Sequence, residues 1–284
     1  MKYKSLLALM VLLSIAFACT AWGTPATEPS APPANTEAAT EPQNAAPTFT
    51  QIPTFTSVPP ATEEPVLSQT LIMQSSLFEE AGAAPPYTIK AQIPYLEGSS
   101  DGRVQGFNTL LKQVAQLEID SFRNNTLTYA SNPPLTPGSF LKIGYSVIGQ
   151  RGDVWSIKYD ISFYSDGAAH PGHYSITVNY DLARGSELFL PDIFLPGSNY
   201  LQVISDYCKS ELATRDIGFD GFSGGADPLP ENYTRWNLST EGLVITFDEY
   251  QVAPYAAGAQ VVTVPFSVLQ NVTGSGGVIE LFAQ

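Results

Sequence analysis

The sequence predicts an α+β fold: an antiparallel sheet with two main helices, in which a smaller N-terminal strand–helix subdomain packs on a larger C-terminal β-rich one. Three observations predict it. Apolar and polar residues alternate along neighbouring stretches between Leu141 and Leu182. Two other stretches, Val104 to Arg123 and Leu201 to Leu212, repeat apolar residues every three or four positions. Turn-forming clusters such as Gln150-Arg151-Gly152-Asp153 separate the alternating runs.

At the N-terminus, Met1-Lys2-Tyr3-Lys4 precedes Leu6 to Ala18, a run almost free of polar residues. A charged start and a short apolar stretch make residues 1–18 a secretory signal, because a bilayer span needs about 20 apolar residues. The run ends in Ala16-Phe17-Ala18-Cys19, the outline of a lipobox, although such a motif more often carries Leu where Ala16 stands. Lipid attachment at Cys19 is expected, with ordinary cleavage and secretion as the alternative. The one other cysteine, Cys208, then has no disulfide partner, and Ile204 and Leu212 on its helical face predict a buried, apolar thiol.

Residues 19–65 contain no Lys or Arg, five Glu and dense Pro, Thr and Ala. Such a segment cannot bury enough apolar surface to offset its ordering entropy, so a disordered tether is expected. At ~3.1 Å per residue it would reach on the order of 100 Å if polyproline-like, and roughly 40 Å as a coil. Residues 66–150 and 151–284 are expected to form the two subdomains. Outside the signal and tether the chain carries 22 acidic against 11 basic residues, a net of −11. That charge repels nucleic acid and favours a cationic partner.

Thr88 to Leu96 reads as a strand. After the capping cluster Ser99-Ser100-Asp101, Val104, Phe107, Leu110, Leu111, Val114, Leu117 and Phe122 recur at helical spacing and predict a buried face over Val104–Arg123. Leu141 to Val147 and Trp155 to Phe163 form a long hairpin, and Tyr174 to Leu182 a third alternating strand. A second helix opens at Ser198 and buries Leu201, Ile204, Cys208 and Leu212. A polar, Gly-rich loop without periodicity follows from Asp216 to Asn232. Trp236 to Leu238, Leu243 to Phe247, Val261 to Phe266 and Val278 to Phe282 read as further strands.

Several constellations look chemical. Gly221-Phe222-Ser223-Gly224-Gly225 fits the G-x-S-x-G pattern of a nucleophile elbow, but it lies in a loop and both histidines precede it. His170-Pro171-Gly172-His173 invites a zinc reading, yet Pro171-Gly172 dictates a turn and no third His exists. Turn capping is the preferred reading. Asp248 and Glu249, adjacent on a strand, should face opposite sides, which is wrong for shared acid–base work. Arg151-Gly152-Asp153 is turn chemistry, and the sequons at Asn124, Asn232, Asn237 and Asn271 carry no meaning in a bacterial lipoprotein. No catalytic residue, metal or cofactor is expected.

Two stretches are more specific than composition. One is Gly167-Ala168-Ala169-His170-Pro171, with Ile176 to Leu182 and Leu188 to Phe194 after it. The other is Phe247-Asp248-Glu249-Tyr250-Gln251-Val252-Ala253-Pro254-Tyr255-Ala256-Ala257-Gly258, followed by Val261 to Ser267. Together they closely resemble the extracellular domain of the anti-sigma factor RsiV family, also found fused ahead of some peptidoglycan deacetylases. The resemblance runs from about Leu71 to the C-terminus. It implies a non-enzymatic domain that senses lysozyme by binding it outside the cell. Only four residues precede the apolar run, leaving no room for a cytoplasmic sigma-binding part, and a deacetylase domain is not expected after Gln284.

The expected ligand contacts are Tyr250, Pro254, Tyr255, His170 and Pro171. A rigid proline beside an aromatic, with Ala256-Ala257-Gly258 allowing close approach, suits a binding loop; the alternative is that Pro254 and Tyr255 only shape a corner of the fold. A cationic lysozyme-like protein is the expected partner, as sensor or decoy, with the cell-wall glycan as runner-up. The competing class is a metal-assisted hydrolase around His170 and His173.

Overall fold

The computed structural model describes residues 71–129 and 138–284. The expected signal, Cys19 and the tether lie outside the described residues. The chain runs through β1 (Ile72–Ala83), β2 (Pro86–Glu97), α1 (Gly102–Tyr129), β3 (Ser139–Arg151), β4 (Val154–Tyr164), β5 (Gly172–Asp181) and β6 (Ser186–Glu187). These six strands make one sheet in sequence order. The β3–β4 hairpin turns at Gly152, whose φ of 51° lies in the region that favours glycine.

The fold is α+β as expected, but one pairing of the predicted antiparallel sheet is parallel: β2 with β3, from Tyr87↔Ser139 to Ala91↔Ile143. A parallel pair needs a crossover, and α1 supplies it. Val104, Phe107, Leu111, Ala115 and Ile119 lie fully inside and pack with Ile89, Ile143, Ile157 and Tyr159 of the sheet. Each of the larger aliphatic side chains and Phe107 contributes about 1.5–3 kcal/mol by leaving water. The Tyr159 hydroxyl donates to the Leu111 carbonyl at 2.8 Å, so its burial leaves no polar group orphaned. Leu117, expected on this face, is 70% exposed. Two residues on from Ala115 and two before Ile119, it stands on the opposite side of the helix from both and points away from the sheet.

Arg123 of α1 also clamps β1, donating to Glu80 at 2.6 and 3.0 Å, while Tyr87 donates to Glu80 at 2.7 Å. The Arg123 hydrogen bonds, and then Tyr87, hold the Glu80 carboxyl down at about 2 against an ordinary 4.5. A lowered carboxylate pKa adds stability above the ordinary value and loses it as pH falls through the folded one. Unfolding followed between pH 4.5 and 2 should therefore show a steeper loss of stability for the natural chain than for Glu80→Gln.

The rest of the chain builds a second core. It comprises α2 (Tyr200–Leu212), a three-stranded antiparallel sheet of β7 (Trp236–Leu238), β8 (Gly242–Phe247) and β9 (Gln260–Pro265), α3 (Phe266–Leu269) and α4 (Val278–Ala283). Ile204, Cys208 and Leu212 bury the face of α2 expected for them; Asn199, not Ser198, stands at its N-cap. Burial pushes the Cys208 thiol up to about 12, so it is inert as a nucleophile at neutral pH.

The strand expected at Val278–Phe282 is instead α4. Ile279 and Phe282, three residues apart, are buried at 4% and 1%, which a helix puts on one face and a strand on two. The non-periodic loop from Asp216 to Asn232 is also ordered: three short 3₁₀ turns bury Phe219, Ala226 and Tyr233. The first core ends at Leu182 and the second takes up at Leu188, with Val154 contributed early. The division expected between residues 150 and 151 falls at the end of β3.

A buried polar network joins the two sheets. Asn237 of β7 donates to Ser156 Oγ at 2.9 Å and to the Ile157 carbonyl at 3.1 Å. Ser156 donates in turn to Asn179 Oδ1 at 2.6 Å, and Asn179 Nδ2 reaches the Trp236 carbonyl at 2.9 Å.

Candidate functional site

Two turns on opposite sides of this junction meet. The first joins β4 to β5 and carries His170-Pro171-Gly172-His173. The second follows β8: Asp248 to Ala253 reverse the chain, and Pro254 leads into a 3₁₀ turn at Tyr255–Ala257 before β9. The turn after β8 is closed locally by Gln251 N donating to the Asp248 carbonyl at 3.1 Å and Ala257 N to the Pro254 carbonyl at 2.9 Å.

Asp248 and Glu249 clamp the second turn to the first. Asp248 accepts from Ser175 N at 3.0 Å and forms an ion pair with Arg235, whose Nε also donates to the Ser175 carbonyl at 2.9 Å. Glu249 accepts from His173 N at 3.2 Å and pairs with His173 Nδ1 at 2.9 Å. The expectation that these carboxylates face opposite sides of a strand is corrected. β8 ends at Phe247, so both residues stand in the turn and reach β5 residues two apart. Each is engaged by its own donors. Burial raises the Asp248 carboxyl, and the Arg235 charge opposes that rise.

Above the clamp lies a short aromatic ladder. The His170 and Tyr255 rings stack with centroids 3.9 Å apart and 27° between planes. Tyr255 and Tyr250 follow at 5.6 Å and 29°. The Tyr255 hydroxyl donates to the Pro171 carbonyl at 2.8 Å, across 84 positions of sequence. Burial and the neighbouring Glu249 raise its pKa, so it stays a donor at neutral pH. Tyr250 is 57% exposed and holds a φ of 67°, the one positive-φ non-glycine among the described residues. A left-handed backbone at a bulky residue costs roughly 1–2 kcal/mol and persists where the surroundings enforce it, commonly at functional sites.

All five expected contacts therefore sit on one pair of turns. His170, Pro171, Tyr250 and Tyr255 are brought into one cluster, and exposed Pro254 leads Tyr255 into it. The two histidines point to different partners, His170 to Tyr255 and His173 to Glu249. Among the described residues no three His, Cys, Asp or Glu side chains are grouped to hold a metal. Ser223 opens a 3₁₀ turn that follows another 3₁₀ turn, so the strand–turn–helix that an elbow requires does not form.

Reading the sequence singled out His173, Asp248 and Glu249 but not their role as a clamp, and it missed Arg235 and the support beneath them. Gln251 donates to the Gly225 and Asn232 carbonyls at 3.1 and 2.9 Å. A Cβ on Gly225 would fall 1.8 Å from the Gln251 carbonyl oxygen, so only glycine lets the two loops touch. The signal available was the glycine run Gly224-Gly225 in a segment with no periodicity of its own.

Comparison with known proteins finds a family match over the second turn of this region. Residues 191–267, which include Tyr250, Pro254 and Tyr255, match the family model described as "Protein of unknown function (DUF3298)". The peptidoglycan-N-acetylmuramic acid deacetylase PdaC of Bacillus subtilis is 27% identical over 168 residues, 58% of this chain and 36% of that enzyme. An esterase of Mycobacterium tuberculosis is 30% identical over 113 residues, 38% of this chain and 48% of the esterase. The chain thus spans less than half the length of either curated relative. Crystal structures of DUF3298 family members share the fold. That from Bacteroides fragilis has a TM-score of 0.59 at 17% identity, covering 75% of this chain and 97% of its own. That from Pseudomonas aeruginosa has 0.53 at 16%, covering 72% and 95%. No helix among the described residues is long and apolar enough to cross a membrane.

Proposed function

We propose that this chain is an extracytoplasmic binding module of the RsiV type, anchored by a lipid on Cys19, that takes a cationic lysozyme-like protein on the ladder of His170, Tyr255 and Tyr250. The convergence of those rings from turns 84 positions apart carries the reading. Rigid, partly exposed aromatics held by hydrogen bonds lose little entropy on docking and make strong interface anchors. The net charge of −11 outside the signal and tether steers a cationic protein toward them. The similarity to PdaC, named for an activity on peptidoglycan, supports a place in the envelope.

Mixing the full chain with a cationic lysozyme at low salt should give a complex at micromolar concentrations, weakened as salt is raised. Absence of any complex under those conditions removes lysozyme as the ligand. Co-sedimentation with purified wall, run alongside, distinguishes glycan binding, for which stacked rings are also suited.

The names of the two curated relatives favour a second reading, a hydrolase, with His170 and His173 as its candidate groups. Bound metal by elemental analysis, or turnover lost in the double His→Ala variant, would support it over the binding module.

A further inference from the structure

A second feature lies further along β5, beyond the segment that Asp248 and Arg235 hold. It is a half-open cavity of about 430 Å³ between β5, β6, the start of α2 and the turn before β7. Tyr200, Tyr233, Trp236 and Phe189 give it aromatic walls, and Asn179 and Glu187 are among its few polar groups. Trp236 and Tyr233 are buried at 4% and 1%, so the inner wall is fixed, while Phe189 at the rim is 59% exposed. Nothing in the aromatic ladder contributes to this lining.

Glu187 is the one charged residue among the described residues of the lining. Its carboxylate has no hydrogen-bond or ion-pair partner among them. Partial burial raises its pKa, as expected of an acid turned toward apolar surface without a cation beside it. Carboxylates in such settings are ordinarily paired. The volume falls within the range of small-molecule sites, which combine apolar walls with a few convergent polar groups.

We propose that this cavity binds a small organic cation: an ammonium group, placed against Glu187, on an apolar body of about the size of one aromatic ring. The charge selects the class. An anion would meet Glu187 with no cationic side chain in the lining to offset it. A neutral apolar molecule would leave the carboxylate desolvated and unpaired. An ammonium both pairs with Glu187 and draws on the electron-rich faces of the surrounding rings.

The test is calorimetric titration of the full chain with 2-phenylethylamine, set against 2-phenylethanol and 3-phenylpropionate, which keep the ring and change the head group. The amine should bind saturably, and the alcohol and acid about tenfold more weakly or not at all. Glu187→Gln, close to isosteric, should lower amine affinity by a similar factor of about ten. Tyr255→Ala should leave it unchanged, which separates this site from the ladder and lets either reading fail alone. No saturable binding, equal binding of acid and amine, or unaltered affinity in a folded Glu187→Gln chain would each overturn the proposal. Should that variant not fold, the comparison of head groups on the natural chain decides.

Discussion

Tyr255→Ala is expected to lower affinity for a cationic lysozyme about 30-fold or more, because truncating a central interface tyrosine commonly costs 2 kcal/mol or above. Tyr255 is the middle rung: it stacks on His170 at 3.9 Å, faces Tyr250 at 5.6 Å, and fixes the first turn through its bond to Pro171. Removing it deletes contact area and frees both neighbours. Tyr255→Phe separates the two contributions, since it keeps the ladder and loses only the bond to Pro171, worth about 1 kcal/mol. Its affinity should fall a few-fold. The fold should tolerate both changes, since Tyr255 belongs to neither hydrophobic core and the clamps of Asp248 and Glu249 remain. Surface binding measurements on the three chains, with thermal unfolding as the control, check this. Equal affinity for the natural chain and the alanine variant would mean that the ladder is not the ligand surface.

What could be read in the sequence was what local periodicity carries. The alternation from Leu141 to Phe163 became β3 and β4, and the apolar stripe of α2 was buried where expected. Contacts decided by where the chain returns were not legible. The parallel β2–β3 pairing depends on where α1 delivers the chain, which no residue of either strand encodes. Leu117 fitted a loose three-or-four spacing, but only the position of the sheet picks Ala115 and Ile119 instead. The five-residue run Val278–Phe282 is too short for periodicity to choose between helix and strand, and packing of Ile279 with Phe282 chose. At the site, the residue types were named in advance from the family resemblance. Their mutual geometry was hidden, because Asp248 and Glu249 were assigned to a strand that ends one residue earlier.

Asn237 illustrates the same limit with the larger consequence for stability. In the sequence it is only the head of a sequon, Asn237-Leu238-Ser239, yet it is fully buried and no glycan could reach it. Its amide donates to Ser156 Oγ and to the Ile157 carbonyl, and Ser156 also accepts from Leu238 N at 2.9 Å and donates to Asn179. Through these bonds the edge of the three-stranded sheet is fixed on β4 and β5, so the β4–β5 turn and the β8–β9 turn, which together carry the ladder, are held by the same junction. Asn237→Ala leaves the Ile157 carbonyl without its side-chain donor, weakens the Ser156 hub and opens a small void. Buried groups that lose partners cost about 1–3 kcal/mol each. One effect runs the other way: Asn237 Oδ1 is itself buried without a partner, and its removal returns part of that cost. The balance is a loss of about 2–4 kcal/mol, read from urea unfolding. Asn271→Ala, at an exposed sequon, should change stability by less than about 0.5 kcal/mol. The double variant with Ser156→Ala should fall short of additivity by about 1 kcal/mol, because the two side chains act through one hydrogen bond. Additive losses, or an Asn237→Ala chain as stable as the natural one, would show that apolar contacts alone hold the two sheets together.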